Sequence, residues 1–148
     1  MSLFKRFVTR KHPSQSGNDS YDQYEKQFLI CQDKLIPIAR KIITEDGFYD
    51  LIFTTQVVNN TASWEKPTNI MIAAKLFING VKSGKGWTEN INPSRHYGNP
   101  ILHRHSLLLK QGDCVEVMMR ADSTKLVPAK SIFILTDPDR FQFDVVKV

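Results

Sequence analysis

Two histidines stand two residues apart in the run Ile101-Leu102-His103-Arg104-His105. On a β-strand that spacing puts both imidazoles on one face. Imidazole ligates zinc, copper, nickel and iron. Three copies meeting on an axis at that face would therefore ring one transition-metal ion with six imidazoles. The plainer and preferred reading is a pair of rim histidines hydrogen-bonded to neighbours, because no third ligand stands beside them in the sequence. His12 and His96 add no spacing pattern.

The remaining reactive side chains form no catalytic constellation. Asp137 and Asp139 lie in Thr136-Asp137-Pro138-Asp139, where aspartates cap turns. The chain has no Gly-x-Ser-x-Gly and no His-Glu-x-x-His, and Gly84-Lys85-Gly86-Trp87 lacks the spacing of a phosphate loop. The expectation is no enzyme and no cofactor. Cys31 and Cys114 are too few for a disulfide framework. Each sits in an apolar run and reads as a buried thiol, with a mutual disulfide as the alternative. Trp64, Trp87, His96 and Tyr97 fall in stretches rich in Asn, Ser and Gly. They are either recognition residues for a sugar or a protein, or anchors folded over the ends of the domain.

The elements that must position these residues are short strands. Ser106 to Arg120 carries Leu107-Leu108-Leu109, a Gly112-Asp113 turn, and a run alternating Val115, Val117 and Met119 with Cys114, Glu116 and Met118. That is strand, turn, strand. Phe48 to Val58 reads as one long strand, with Tyr49, Leu51, Phe53, Thr55 and Val57 as its core side. Ile70 to Ile78 is a strand because Asn79-Gly80, a strong hairpin signal, follows at once. Gln27 to Cys31 and Lys130 to Leu135 are further strands, and Tyr21 to Lys26 a short helical turn. Pro37 makes Leu35 to Ile38 an edge or a bend. Ser83 to Asn99 reads as a long loop. Phe141, Phe143 and Val145 alternate in an extra C-terminal strand outside the compact body. The fold class is all-β, a jelly-roll sandwich of about eight to ten strands.

The 148 residues make one domain with an ordinary core, 41% hydrophobic and 10% aromatic. The formal charge of +5 is unevenly placed. Lys5, Arg6, Arg10 and Lys11 face no acid in the first 18 residues. The body is near neutral, which argues against a nucleic-acid face there. No run of about 18 apolar residues offers a membrane span, and the first residues do not form a secretory signal. Residues 1–20 divide from residues 21–148 as a basic and apolar arm with a breaker-rich linker. Leu3, Phe4, Lys5, Arg6, Phe7, Arg10 and Lys11 make it either an anchor for a larger assembly or a frayed terminus.

Four segments, in order, resemble the tumour-necrosis-factor-like jelly-roll superfamily and its complement-type globular heads. They are Gly47-Phe48-Tyr49-Asp50-Leu51-Ile52-Phe53, Ala74 to Gly80, Leu107 to Val115, and Ser131-Ile132-Phe133 leading to Pro138-Asp139. The resemblance spans roughly residues 40–139. The family's Phe-Ser-Gly is Phe133-Ile134-Leu135 here, no collagen-like repeat precedes the body, and no calcium site carries over. The resemblance implies a homotrimer packed through one sheet. Phe48, Ile52, Leu108, Met118 and Ile132 are the candidate contacts.

Together these readings lead to an expectation of a non-enzymatic, trimeric structural or adhesion protein of a virus particle. It would be a capsid decoration, tail fibre or receptor-binding head, assembled in the host cytoplasm. Its arm would be held by a capsid or tail protein, and its loops would face a host surface glycan or protein. The alternatives are an extracellular or cell-surface trimeric ligand, and a carbohydrate-binding module.

Overall fold

The computed structural model describes residues 7–11, 20–24, 28–29, 34–61, 70–84, 87–91, 97–122 and 131–148, with side chains described for 34–61, 70–84, 98–122 and 131–148. Among the described residues every regular element is a strand. The first sheet contains β1 (Phe7–Lys11), β2 (Ser20–Tyr24), β4 (Ile36–Ile42), β7 (Ile70–Ile78), β8 (Val81–Lys82), β9 (Trp87–Ile91) and β12 (Cys114–Asp122). Its order is β1-β2-β4-β12-β7-β8, with β9 also paired to β7.

The other strands are β3 (Phe28–Leu29), β5 (Gly47–Thr54), β6 (Gln56–Asn59), β10 (Tyr97–Gly98), β11 (Ile101–Leu109), β13 (Ile132–Leu135) and β14 (Gln142–Lys147). They form a four-stranded and a three-stranded set, and the register joins these into one second layer. β5 and β6 are a single line of chain broken only at Thr55. Along one side β11 pairs Ile101 with Thr54, and β10 pairs Gly98 with Val57. Along the other, β14 pairs Gln142 with Thr54, and β13 pairs Leu135 with Gln56. The layer therefore runs β3, then β13 and β14, then β5 and β6, then β10 and β11. Apart from the β1–β2 pair and the run β7, β8, β9, which stay in the first sheet, the chain crosses from one layer to the other between successive strand lines, which is jelly-roll topology.

The core lies between the layers. Tyr49, Leu51, Phe53 and Val57 are buried from one side, and Ile72, Ala74, Leu76, Val115, Val117 and Met119 from the other. The expected core side of residues 48–58 is the observed one. Phe53 lies edge-on to Phe141 and Phe143, with ring centroids 5.5 and 6.5 Å away. Each such buried side chain is worth about 1.5–3 kcal/mol of transfer free energy.

One end of the sandwich is closed by bonded turns. Asn79 (φ 52°) and Gly80 (φ 81°) make the expected hairpin. Asn79 Nδ2 donates to Asp113 Oδ1 at 2.9 Å, and Cys114 N donates to Asn79 Oδ1 at 2.9 Å. Gly112 N donates to Ile43 O at 2.7 Å, and Ile43 N to Asp113 O at 2.8 Å. These bonds leave few free backbone groups on the turns.

Several expectations are corrected. Pro37 is not at an edge. It lies inside β4, where the register with β12 shifts between Val117 and Met118, so the missing N–H is absorbed by a bulge. The long strand from Phe48 breaks at Thr55, whose buried hydroxyl donates to Leu135 O at 3.2 Å. Tyr21–Tyr24 is strand rather than helical turn, and Ser83 to Asn99 contains β9 and β10. Phe7–Lys11 of the arm is strand β1, paired with β2 of the same chain. The C-terminal strand lies inside the body, because Phe141, Phe143 and Val145 are buried and β14 pairs with β5. The strand expected over Lys130 to Leu135 does end before the Pro138-Asp139 turn, as β13, and β14 follows that turn. Cys114 is half-buried on the outer side of β12, not in the core.

Candidate functional site

The outer side of the second layer is the surface with the most distinctive composition. On β5 the residues alternating with the core are Phe48, Asp50, Ile52 and Thr54. Phe48 stands opposite Leu108 on β11. Asp50 stands opposite Val146, and Ile52 lies between His103 and Asp144. Thr54 lies between Ile101 and Gln142. Phe48 is 53% exposed and Leu108 66%, Val146 and Val148 are exposed beside them, and Ile101 is exposed at the far end of the same face. Five of the eight large exposed hydrophobics among the described residues share this one side. Contiguous exposed apolar patches larger than a few hundred Å² mark interaction sites.

A bulge decides what else belongs to that side. Strict alternation along β11 would send Leu108 away from His103 and His105. The register instead shifts between Arg104 and Leu107, and Ser106 takes φ 52°. Ser106 N donates to Asp50 Oδ1 at 2.9 Å, which holds the extra residue in place. After the bulge Leu108 shares its face with both imidazoles. Arg104 turns to the opposite side, and its guanidinium donates to Ser83 O.

The imidazoles of His103 and His105 sit with ring centroids 4.1 Å apart. His105 Nδ1 is 3.9 Å from Asp50 Oδ1, both side chains being well exposed. Across Ile52, Asp144 Oδ2 accepts from Gln142 Nε2, while Asp144 Oδ1 is enclosed and has no hydrogen-bond partner among the described residues. The face is thus an apolar frame around two imidazoles and two carboxylates. Among the described residues no group of three or more His, Cys, Asp or Glu is arranged to hold a metal ion within one chain.

The frame borders a polar cleft of about 510 Å³. The three long lines of chain are interrupted there at one level: at Thr55, at Asn99-Pro100, and at Thr136 to Phe141. Gln56, Asn99, Asp139, Arg140 and Gln142 line it. The last of these turns is held by Arg140 N and Phe141 N, both donating to Asp137 O at 3.0 Å. Asp137 thus serves the turn, as its position predicted.

The five contact candidates do not share a surface. Phe48, Ile52 and Leu108 do. Ile132 is 2% exposed and belongs to the core, so it cannot reach a neighbour. Met118 is on the outer side of the first layer, between Pro37 and Lys75. Trp87 and Tyr97 belong to strands β9 and β10. Trp64, His96 and residues 1–6 of the arm lie outside the described residues, as does Cys31. Sequence reasoning missed Ile101 and Val146 on the apolar face. Their signal was the alternation of residues 101–105 and 142–147, which says that a residue points outward but not beside what.

No protein-family model matches the chain, and no curated protein sequence matches it. Solved structures similar to it include the Eiger TNF of S. frugiperda, at 12% identity over 96% of this chain and 85% of that one, with a TM-score of 0.46. A family 35 carbohydrate-binding module from Clostridium thermocellum matches at 11% identity over 96% and 88%, with a TM-score of 0.33. TmCBM61 in complex with beta-1,4-galactotriose matches at 12% over 97% and 88%, with a TM-score of 0.39. The likeness is one of β-sandwich class.

Proposed function

We propose that the chain is a non-enzymatic structural or adhesion module that assembles with copies of itself through the outer side of its second layer. The observation that carries this reading is the shared exposure of Phe48, Ile101, Leu108 and Val146 on one flat face, while the facing side of the same strands fills the core. A self-complementary patch of this kind is the ordinary basis of cyclic assemblies. The order of sequence segments resembling the tumour-necrosis-factor-like superfamily favours three copies. The basic and apolar segment from Leu3 to Lys11 supports attachment to a larger body, and a virus capsid or tail is the setting proposed for it.

Mass in solution tests the assembly. A subunit of 17.0 kDa is expected to sediment as a trimer, and as a single subunit once Leu108→Asp places a charge in the patch. A wild-type chain that sediments as a single subunit at all accessible concentrations overturns the reading. Attachment is tested separately with Phe4→Asp and Arg6→Glu, which leave β1 intact. The expected result is an unchanged assembly that fails to enter particles.

A further inference from the structure

We propose that His103 and His105 form a two-imidazole chelate for a divalent transition ion of the zinc or nickel type, open on its outer side and completed by the imidazoles of neighbouring copies. The first support is geometric. Alternation on β11 puts both rings on one face, 4.1 Å apart between centroids, and the bulge at Arg104 to Leu107 brings Leu108 to the same face. Both rings are exposed, so small rotations about their side-chain torsions bring one nitrogen of each toward a common point.

The second support is electrostatic and independent of the spacing. Asp50 Oδ1 lies 3.9 Å from His105 Nδ1. That is too long for a hydrogen bond, but it places negative charge on the Nδ1 side. A carboxylate hydrogen-bonded to the far nitrogen of a histidine is the usual support of a metal-bound imidazole, and Asp50 stands on that side of His105, within reach of a small rotation of the ring. Asp50 is itself fixed by the Ser106 N–H, so this support is built into the strand rather than borrowed from a mobile side chain.

One chain does not complete the site. Zinc takes four ligands in a closed site, and no third protein ligand completes such a set within the described residues of one chain. The pair lies beside Phe48 and Leu108, so the open coordination positions point where another copy would stand. The chelate itself is independent of assembly; its completion rests on the function proposed above.

The test uses the full chain with zinc chloride and nickel chloride as the probes, followed by titration calorimetry. Wild type is expected to take up the ion saturably. His103→Gln and His105→Gln keep polarity and bulk, and each is expected to weaken uptake at least tenfold. Leu108→Asp, which separates the copies, is expected to keep a His-dependent site at least tenfold weaker than wild type. Wild-type affinity in the double glutamine variant overturns the chelate. Wild-type affinity in Leu108→Asp overturns its completion by neighbours. A chain that assembles but takes up no ion overturns only this inference. A chain that binds the ion through both histidines yet never assembles overturns the proposed function instead.

Discussion

The two outer sides of the sandwich are built by the same alternation and carry opposite chemistry. On the first layer, Glu116 stands between Arg40 and Phe77, Met118 between Pro37 and Lys75, and Arg120 opposite Ala73. Arg120 Nε lies 3.0 Å from a carboxylate oxygen of Asp122. Burial together with the positive charge of Lys82 and Arg120 holds the Lys75 ammonium below its usual range. On the second layer the equivalent positions hold Phe48, Ile52, Ile101, Leu108 and Val146 around the polar group of Asp50, His103, His105 and Asp144. A strand pattern needs only that alternate residues avoid the core. It does not need them to be apolar. The heavier share of exposed apolar side chains on the second layer is what supports the proposal that this side meets another copy.

The largest expected effect separates inward from outward on one strand. Phe53→Ala removes a fully buried ring packed against Phe141 and Phe143, and should cost about 3–5 kcal/mol. Thermal unfolding should show this as a midpoint lower by roughly 10 °C or more. Phe48→Ala, five residues earlier on the opposite side, should leave the stability of the separate subunit within about 1 kcal/mol and weaken assembly. Equal losses of stability from the two substitutions would break the distinction.

The next effect separates the two outer sides. Leu108→Asp should weaken assembly by about a hundredfold or more, the size expected of a central contact residue. Met118→Asp should leave the assembled mass unchanged, because Met118 faces away from that surface. Sedimentation of both variants at matched concentrations reads the contrast directly. A Met118→Asp chain that falls to single subunits would move the contact surface to the first layer.

Local pattern carried much of this architecture, and where it failed the cause was non-local. Tyr49, Leu51 and Phe53, and Val115, Val117 and Met119, announce their core side by period two alone. Asn79-Gly80 announces its turn, because both residues must take positive φ there. Period two cannot say which layer a strand joins. That is why Met118 was grouped with Phe48, although both were read correctly as alternating residues. It also cannot see a bulge. His103 and Leu108 have opposite parity in sequence and the same side in space, since Ser106 adds one residue between them. The last strand was misplaced for a similar reason. The turn at Pro138-Asp139 is legible locally, but only the pairing of β14 with β5 places the strand after it inside the body.

A smaller effect concerns the charges of the first layer. Arg120→Ala removes one partner of the ion pair with Asp122, with both side chains about a third exposed. The expected cost is about 0–1 kcal/mol, read as a small shift in a denaturant midpoint, with no change in assembled mass. A loss of assembly here would mean that the charged side is also a contact.

The smallest and sharpest contrast lies within β12 and the turn that precedes it. Asp113 is held below the usual carboxylate range, first by the Asn79 side-chain amide and then by the Lys110 N–H at 2.8 Å. A depressed carboxylate adds stability above its unfolded pKa and loses it as the pH falls through the folded value. Glu116, three residues on, is raised by burial, only partly offset by Arg40. Its sign is opposite. The fold favours the protonated acid, and that contribution is lost as the pH rises through the raised value. Asp113→Asn should therefore flatten the acid limb of the stability profile, and Glu116→Gln should raise stability at neutral pH while changing little in acid. Denaturant midpoints measured between acid and neutral pH distinguish the two. The same slope in both variants would mean that neither carboxylate is set by the surroundings named here. Asp113 earns its low value from the bonded turns at the end of the sandwich. Glu116 owes its high one to a half-buried place on the charged side, so a group can be costly there without making that side a surface for another chain.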